Sequence, residues 1–157
     1  MIRRCTLVCV GRPKGWAAEG SEDYAKRLRR YFPVNIIEVA EQDMNRRSRD
    51  EVLSAEGQRI LDRLPKEAYV ISLDREKGRQ LPSDTVAQKL EDLGISGRSH
   101  VSFVIGGALG LAPEVLRGSH EIWSFGNVTL PHALARVVLL EQLYRAVKIN
   151  RNEKYHW

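Results

Sequence analysis

The run Val101-Ser102-Phe103-Val104-Ile105, continuing into Gly106-Gly107-Ala108-Leu109-Gly110, decides how the chain is read. A short, almost wholly apolar, β-branched segment bounded by glycine fits a strand buried on both faces. Such strands belong to parallel sheets covered by helices on each side. The glycines behind it let backbone amides approach a ligand and permit positive φ. Taken alone, they leave open a tight turn or a cofactor cradle. They do not form G-x-G-x-x-G and do not follow the first strand, which weighs against a nicotinamide dehydrogenase.

Outward from this run, strand-like and helix-like segments alternate. Strands are expected over 2–10, 34–39, 68–73, 101–105 and 121–125. Helices are expected over 16–31, 49–64 and from Pro82-Ser83-Asp84 to about residue 93, with a short one after Pro113 and a long last one over 131–149. Val52, Leu53, Ile60, Leu61 and Leu64 recur at helical spacing, and Pro65 stops their helix. Residues 43–48 and 75–80 are polar and expected as loops. This rhythm predicts a single α/β domain over 1–157, a mostly parallel sheet with helices on both faces. Ligands bind such sheets beyond the carboxyl ends of the strands. Three strand exits have specialised sequences: Leu73-Asp74, Gly106-Gly107 and Phe125-Gly126-Asn127. The last exit continues as Val128-Thr129-Leu130-Pro131-His132, unusually apolar for a connection and of a kind that lines pockets. His132 stands at a helix start, where a positive charge is disfavoured, and is expected to be neutral and structural. Arg136 shares its helix face.

Composition narrows the function. No run approaches the ~18 apolar residues of a membrane helix, and the apolar start reads as a strand rather than a signal peptide. Cys5 and Cys9 read as small buried residues, which fits a reducing, cytoplasmic setting. No Cys, His and carboxylate cluster has metal-ligand spacing, so no metal is expected. The net charge of +5 suits a polyanionic partner. The basic residues gather at Arg3-Arg4, at Lys26-Arg27 with Arg29-Arg30, at Arg46-Arg47 with Arg49, and along Arg145, Lys148, Arg151 and Lys154. Four clusters in one small domain favour nucleic acid over solvated helix faces. Glu141 and Arg145, four apart, read either as an ion pair or as a carboxylate beside a phosphate ligand. His100 and His120 precede strands and are expected at the surface. The last helix is apolar around most of its circumference, which is met either by burial or by a second subunit.

The run 103–111 resembles the glycine loop of the SPOUT methyltransferases. Leu130-Pro131-His132, then Arg136-Val137-Val138-Leu139-Leu140-Glu141-Gln142-Leu143-Tyr144-Arg145-Ala146, and Tyr155-His156 resemble one branch of them, the ribosomal large-subunit RNA methyltransferases of the RlmH (YbeA) type. The resemblance spans the chain and is most specific in its C-terminal third. It implies a trefoil knot near the C-terminus, a homodimer with the cofactor near the interface, and S-adenosylmethionine as methyl donor. It implies a pseudouridine of large-subunit (23S) ribosomal RNA, in the assembled ribosome, as substrate, methylated at N3. Carried over by position, the cofactor residues are Leu73, Gly106, Phe125, Gly126, Asn127, Val128, Thr129 and Leu130. A valine at Gly106 is expected to fill the space beside the cofactor. The branch usually ends Tyr-His followed by Arg or Lys; this chain ends Tyr155-His156-Trp157, and Trp157 suits base stacking instead. N3 of a uracil-type base must lose a proton, and His156 titrates in the right range to take it. Holding phosphate or positioning RNA is the other role open to His156. Tyr155 would pack on the base or donate a hydrogen bond. A transfer-RNA enzyme of the same fold and a non-catalytic ribosome-binding factor are the competing readings.

Overall fold

The computed structural model describes residues 1–155 of the chain. Its elements are β1 (Arg4–Val10), α1 (Gly15–Leu28), β2 (Val34–Val39), α2 (Arg49–Arg63), β3 (Tyr69–Leu73), β4 (Arg79–Gln80), α3 (Ser83–Ile95), β5 (His100–Ile105), α4 (Pro113–Arg117), β6 (Glu121–Ser124) and α5 (His132–Asn150). The strands form one sheet in the order β2-β1-β5-β3-β6-β4, and every pairing is parallel. Each parallel pairing requires a crossover, so every strand carries its carboxyl end to the same edge. Strand β4 falls within a stretch expected as loop. It is two exposed polar residues long and so leaves no apolar signal.

Alternation along the strands sorts the core into two layers. Cys5, Leu7 and Cys9 with Ile71, Val101, Phe103 and Ile105 face α1, α3 and α5. Val8, Val10, Val70 and Val104 face α2 and α4 through Leu53, Ile60, Val115 and Leu116. Both thiols are buried, and burial pushes each up to about 12.

Helix α5 lies between α1 and α3. Leu139, Leu140, Leu143, Ala146 and Val147 are buried, while Leu134, Val137 and Val138 are half-buried. Its apolar girth is thus taken up largely within the chain. One charged residue is buried with them. Arg136 donates through Nη1 to Glu38 Oε2 at 2.8 Å and through Nη2 to the Gly11 carbonyl at 3.1 Å, fastening α5 to the exits of β1 and β2.

Of the two histidines expected at the surface, His120 is exposed and His100 is drawn partly inward. His100 is the first residue of β5, half-buried, with Nε2 2.8 Å from Thr6 Oγ1. His120 stacks on Tyr69 at 4.5 Å, and its Nδ1 accepts the Val70 N–H at 2.9 Å. Each precedes or opens a strand whose neighbours offer a polar partner, which sequence position alone does not reveal.

Helix α2 begins with a capping box. Ser48 Oγ accepts the Glu51 N–H at 3.1 Å, and the Glu51 carboxylate accepts the Ser48 N–H at 3.4 Å. Ser48→Ala is expected to cost about 1 kcal/mol in denaturant unfolding. An unchanged midpoint would show that the cap carries no stability here.

Candidate functional site

The exits of β3, β5 and β6 surround one cavity of about 720 Å³ at the carboxyl edge of the sheet. That size lies within the usual range for a small-molecule or cofactor site. Its walls are three connections: 73–76, 105–110 and 123–131. Trp123 is buried against Phe103 and donates its indole N–H to Glu121 Oε1. His132 and Ala135 bring the first turn of α5 to the rim.

The glycine connection is folded on itself. Gly107 and Gly110 bridge, the Gly110 N–H reaching the Gly107 carbonyl at 3.1 Å, with Gly110 at φ +89°. A Cβ on Gly106 would run into the Gly110 carbonyl. The need for glycine at 106 therefore comes first from the loop's own backbone, a correction to the expectation that a side chain there would merely fill ligand space. Arg49, at the start of α2, braces this loop by donating from Nη2 to the Leu109 carbonyl at 3.2 Å. Below it, the buried carboxylate of Glu56 accepts the Gln42 N–H at 2.9 Å.

The third wall is braced from the first. Arg75 donates through Nη1 to the Asn127 carbonyl at 3.1 Å. Ser124 Oγ donates to the Arg75 carbonyl at 3.0 Å and accepts the Gly126 N–H at 3.1 Å. Gly126, at φ +107°, takes a backbone conformation suited to glycine.

Leu73, Gly106, Phe125, Gly126, Val128, Thr129 and Leu130 thus stand together around the cavity. Asn127 is not among the lining residues, and its carbonyl is turned to Arg75. Asp74, singled out at its strand exit, lines the cavity together with Arg75 and Glu76, which residue-type reasoning missed. Arg75 and Glu76 belong to a stretch read as a plain polar loop, and the signal available was their position directly after a strand exit. His132 Nε2 lies 3.5 Å from Glu41 Oε1 at the rim.

Tyr155 is not brought to this cavity. Its ring stands edge-on to Tyr144 at 4.8 Å, its hydroxyl is 3.2 Å from that of Tyr24, and the Arg145 guanidinium lies 5.1 Å from its ring centre. Burial, then the hydrogen bond with Tyr24, raises its pKa, so the phenol stays protonated at neutral pH. Arg145 is ion-paired with Glu141, as the spacing allowed. The turn after α5 is fixed by Glu153, which accepts from Lys148, Arg151 and Tyr31. The bonds from Lys148 and then Arg151 hold its carboxyl down at about 2. His156 and Trp157 lie outside the described residues. Among those described, no group of His, Cys, Asp and Glu suits a metal ion, and no helix is long and apolar enough to cross a membrane.

A pocket at the carboxyl edge of a wholly parallel sheet, bounded by a tight glycine loop and an apolar loop entering a helix, fits an α/β enzyme with a small-molecule site. The chain matches the family model described as "Predicted SPOUT methyltransferase" over residues 3–156. It is 66% identical to the Ribosomal RNA large subunit methyltransferase H of Rubrobacter xylanophilus, over the full length of both chains. It is 42% identical to the protein of that description from Bifidobacterium adolescentis, covering 98% of this chain and 99% of that one. The fold is shared with a probable methyltransferase from Bordetella pertussis, at TM-score 0.55 and 15% identity, covering 92% of this chain and 96% of that one. The chain belongs to the SPOUT methyltransferase family.

Gly106→Val is expected to cost at least about 3 kcal/mol, because backbone must move to admit the side chain. The check is thermal unfolding. A variant as stable as the parent would show that the loop tolerates a Cβ at 106.

Proposed function

We propose that the chain is an S-adenosylmethionine-dependent methyltransferase that modifies N3 of a pseudouridine in large-subunit (23S) ribosomal RNA, working as a cytoplasmic homodimer on assembled ribosomes. The observation that carries the donor assignment is the cavity gathered from three strand exits. Its size and its mixture of apolar walls with backbone groups suit a nucleoside bearing an aliphatic amino-acid arm. The substrate assignment is supported by full-length similarity to relatives described as large-subunit ribosomal RNA methyltransferases.

When bound, S-adenosylmethionine supplies an electrophilic methyl group. The residues that would hold it are Leu73, Gly106, Phe125, Gly126, Val128, Thr129 and Leu130, with Asn127 keeping its loop in shape. Transfer from a sulfonium is an in-line displacement, so the chain's main task is alignment. Arg49 and Arg75 serve alignment by fixing the two loops that face each other across the cavity. The N3 proton must leave as the N–C bond forms. A protonated Tyr155 is suited to donating a hydrogen bond, which leaves His156 as the proton acceptor of this tail. Tyr155 is absent from the lining of its own chain's cavity, and a second copy is the means of bringing the tail to a site. The half-buried Leu134 and Val138 on α5 support such pairing. The trefoil knot belongs to the same reading, supported by the return of α5 between α1 and α3 after β6.

The deciding experiment is mass-spectrometric mapping of ribosomal RNA from cells with and without the gene. Loss of one methylated pseudouridine in the large subunit is expected. An unchanged large-subunit map with a methyl group missing from transfer RNA would favour the transfer-RNA enzyme. Calorimetry showing no affinity for S-adenosylmethionine would favour a non-catalytic ribosome-binding factor. His156→Ala is expected to lower the turnover number at least about 100-fold while leaving donor affinity near the parent's. Normal turnover would remove His156 from the chemistry. Sedimentation of a stable monomer at micromolar concentration would exclude the dimer.

A further inference from the structure

The fold sorts the four basic clusters by position. Arg3 and Arg4 stand at the amino end of β1, the edge of the sheet opposite the cavity. Helix α1 runs from the carboxyl end of β1 back to the amino end of β2, so Lys26, Arg27, Arg29 and Arg30 also lie toward that far edge. The cations late in α5 follow them, since Glu153 joins Lys148 and Arg151 to Tyr31, just before β2. The cluster Arg46, Arg47 and Arg49 alone lies at the cavity's edge, between the exit of β2 and the start of α2.

Arg27, Arg145, Lys148 and Arg151 are in ion pairs. Arg46, Arg47 and Arg49 are in none among the described residues, and nor are Arg3, Arg4, Lys26, Arg29, Arg30 and Lys154, so position rather than pairing sets the 46–49 cluster apart. Arg49 lines the cavity and is spent on the Leu109 carbonyl. Arg46 and Arg47 are exposed and precede Arg49 by three and two residues in the chain. The loop that carries them is fixed. Asp43 Oδ1 accepts the Asn45 N–H at 2.9 Å, Arg47 Nη1 donates to the Asp43 carbonyl at 3.2 Å, and Ser48 begins the capping box. Arg46 is held at φ +58°, a conformation that a non-glycine residue seldom adopts. The nearby carboxylates of Asp43 and Glu51 are turned to backbone amides rather than to these guanidiniums.

We propose that Arg46 and Arg47 form a phosphate clamp that seats the RNA strand beside its target base at the cavity mouth. The inference rests on the reading of this chain as a ribosomal RNA methyltransferase. It adds which of the basic clusters meets the RNA at the site. A base entering the cavity carries its own and its neighbours' phosphates past the rim. Guanidiniums held by no carboxylate, on a braced loop, meet those phosphates with little ordering left to do, Arg47 through the nitrogens it does not give to the Asp43 carbonyl.

The test is methyl transfer from labelled S-adenosylmethionine to large ribosomal subunits isolated from cells lacking the gene. Arg46→Gln and Arg47→Gln should each raise KM for the subunits about threefold, and the double variant about tenfold, with kcat and donor affinity held within about twofold. The double variant should flatten the dependence of log affinity on log salt by about two. Thermal midpoints should stay at the parent value because both side chains are exposed. Unchanged KM and salt slope in the double variant would overturn the clamp. So would an equal loss in the Arg3→Gln/Arg4→Gln control, which would place the RNA contact elsewhere or nowhere in particular. Failure of the parent protein to methylate the subunits at all would instead remove the underlying functional reading.

Discussion

Strand β5 is hydrogen-bonded on both edges, to β1 and β3, and covered on both faces by helices. Its side chains from Val101 to Ile105 are buried, including Ser102. A strand in that position has no freedom to slip, because a shift of one residue would exchange the two core layers. Since all its neighbours run parallel to it, the end of β5 fixes the edge at which the chain must leave the sheet. The glycine loop begins there, and the cavity follows from the neighbouring exits at the same edge. The site is thus a consequence of register before it is a consequence of any single polar residue.

Much of this was legible in the sequence because long buried segments announce themselves. The apolar runs in β1, β3 and β5, the helical spacing in α2 and the proline before α5 each mark an element through its own residues. What escaped depended on partners remote in sequence. Strand β4 exists because Arg79 and Gln80 meet β6, and Gly78 allows the approach by lying against the Trp123 backbone. His100 looks like a surface residue until Thr6 is placed beside it. Arg75 and Glu76 acquire a role at the cavity only when β6 is seated next to β3. Asn127 illustrates the reverse case: its loop lines the cavity, but which of its groups turn inward depends on Arg75 from another strand exit.

Several charged groups near the site hold backbone rather than balance one another. Arg136 is buried between Glu38 and the Gly11 carbonyl, and removing one member of such a group strands the other. Arg49 and Arg75 each end on a carbonyl in a cavity wall. The arrangement converts helices and strand ends, which are rigid, into rigid loops. A family whose chemistry consists chiefly of lining up two reactants gains directly from that stiffness.

The two thiols of β1 give the molecule an internal reporter. Cys5 and Cys9 lie on one face of the strand beside β5, under α5 and α1, and burial keeps both protonated across the physiological range. Alkylating reagents need the thiolate and an open approach. Neither is available until β1 separates from the helical layer that includes α5. The rate at which the cysteines are labelled is therefore a clock for opening of the whole core, and it runs without any added chromophore or engineered residue.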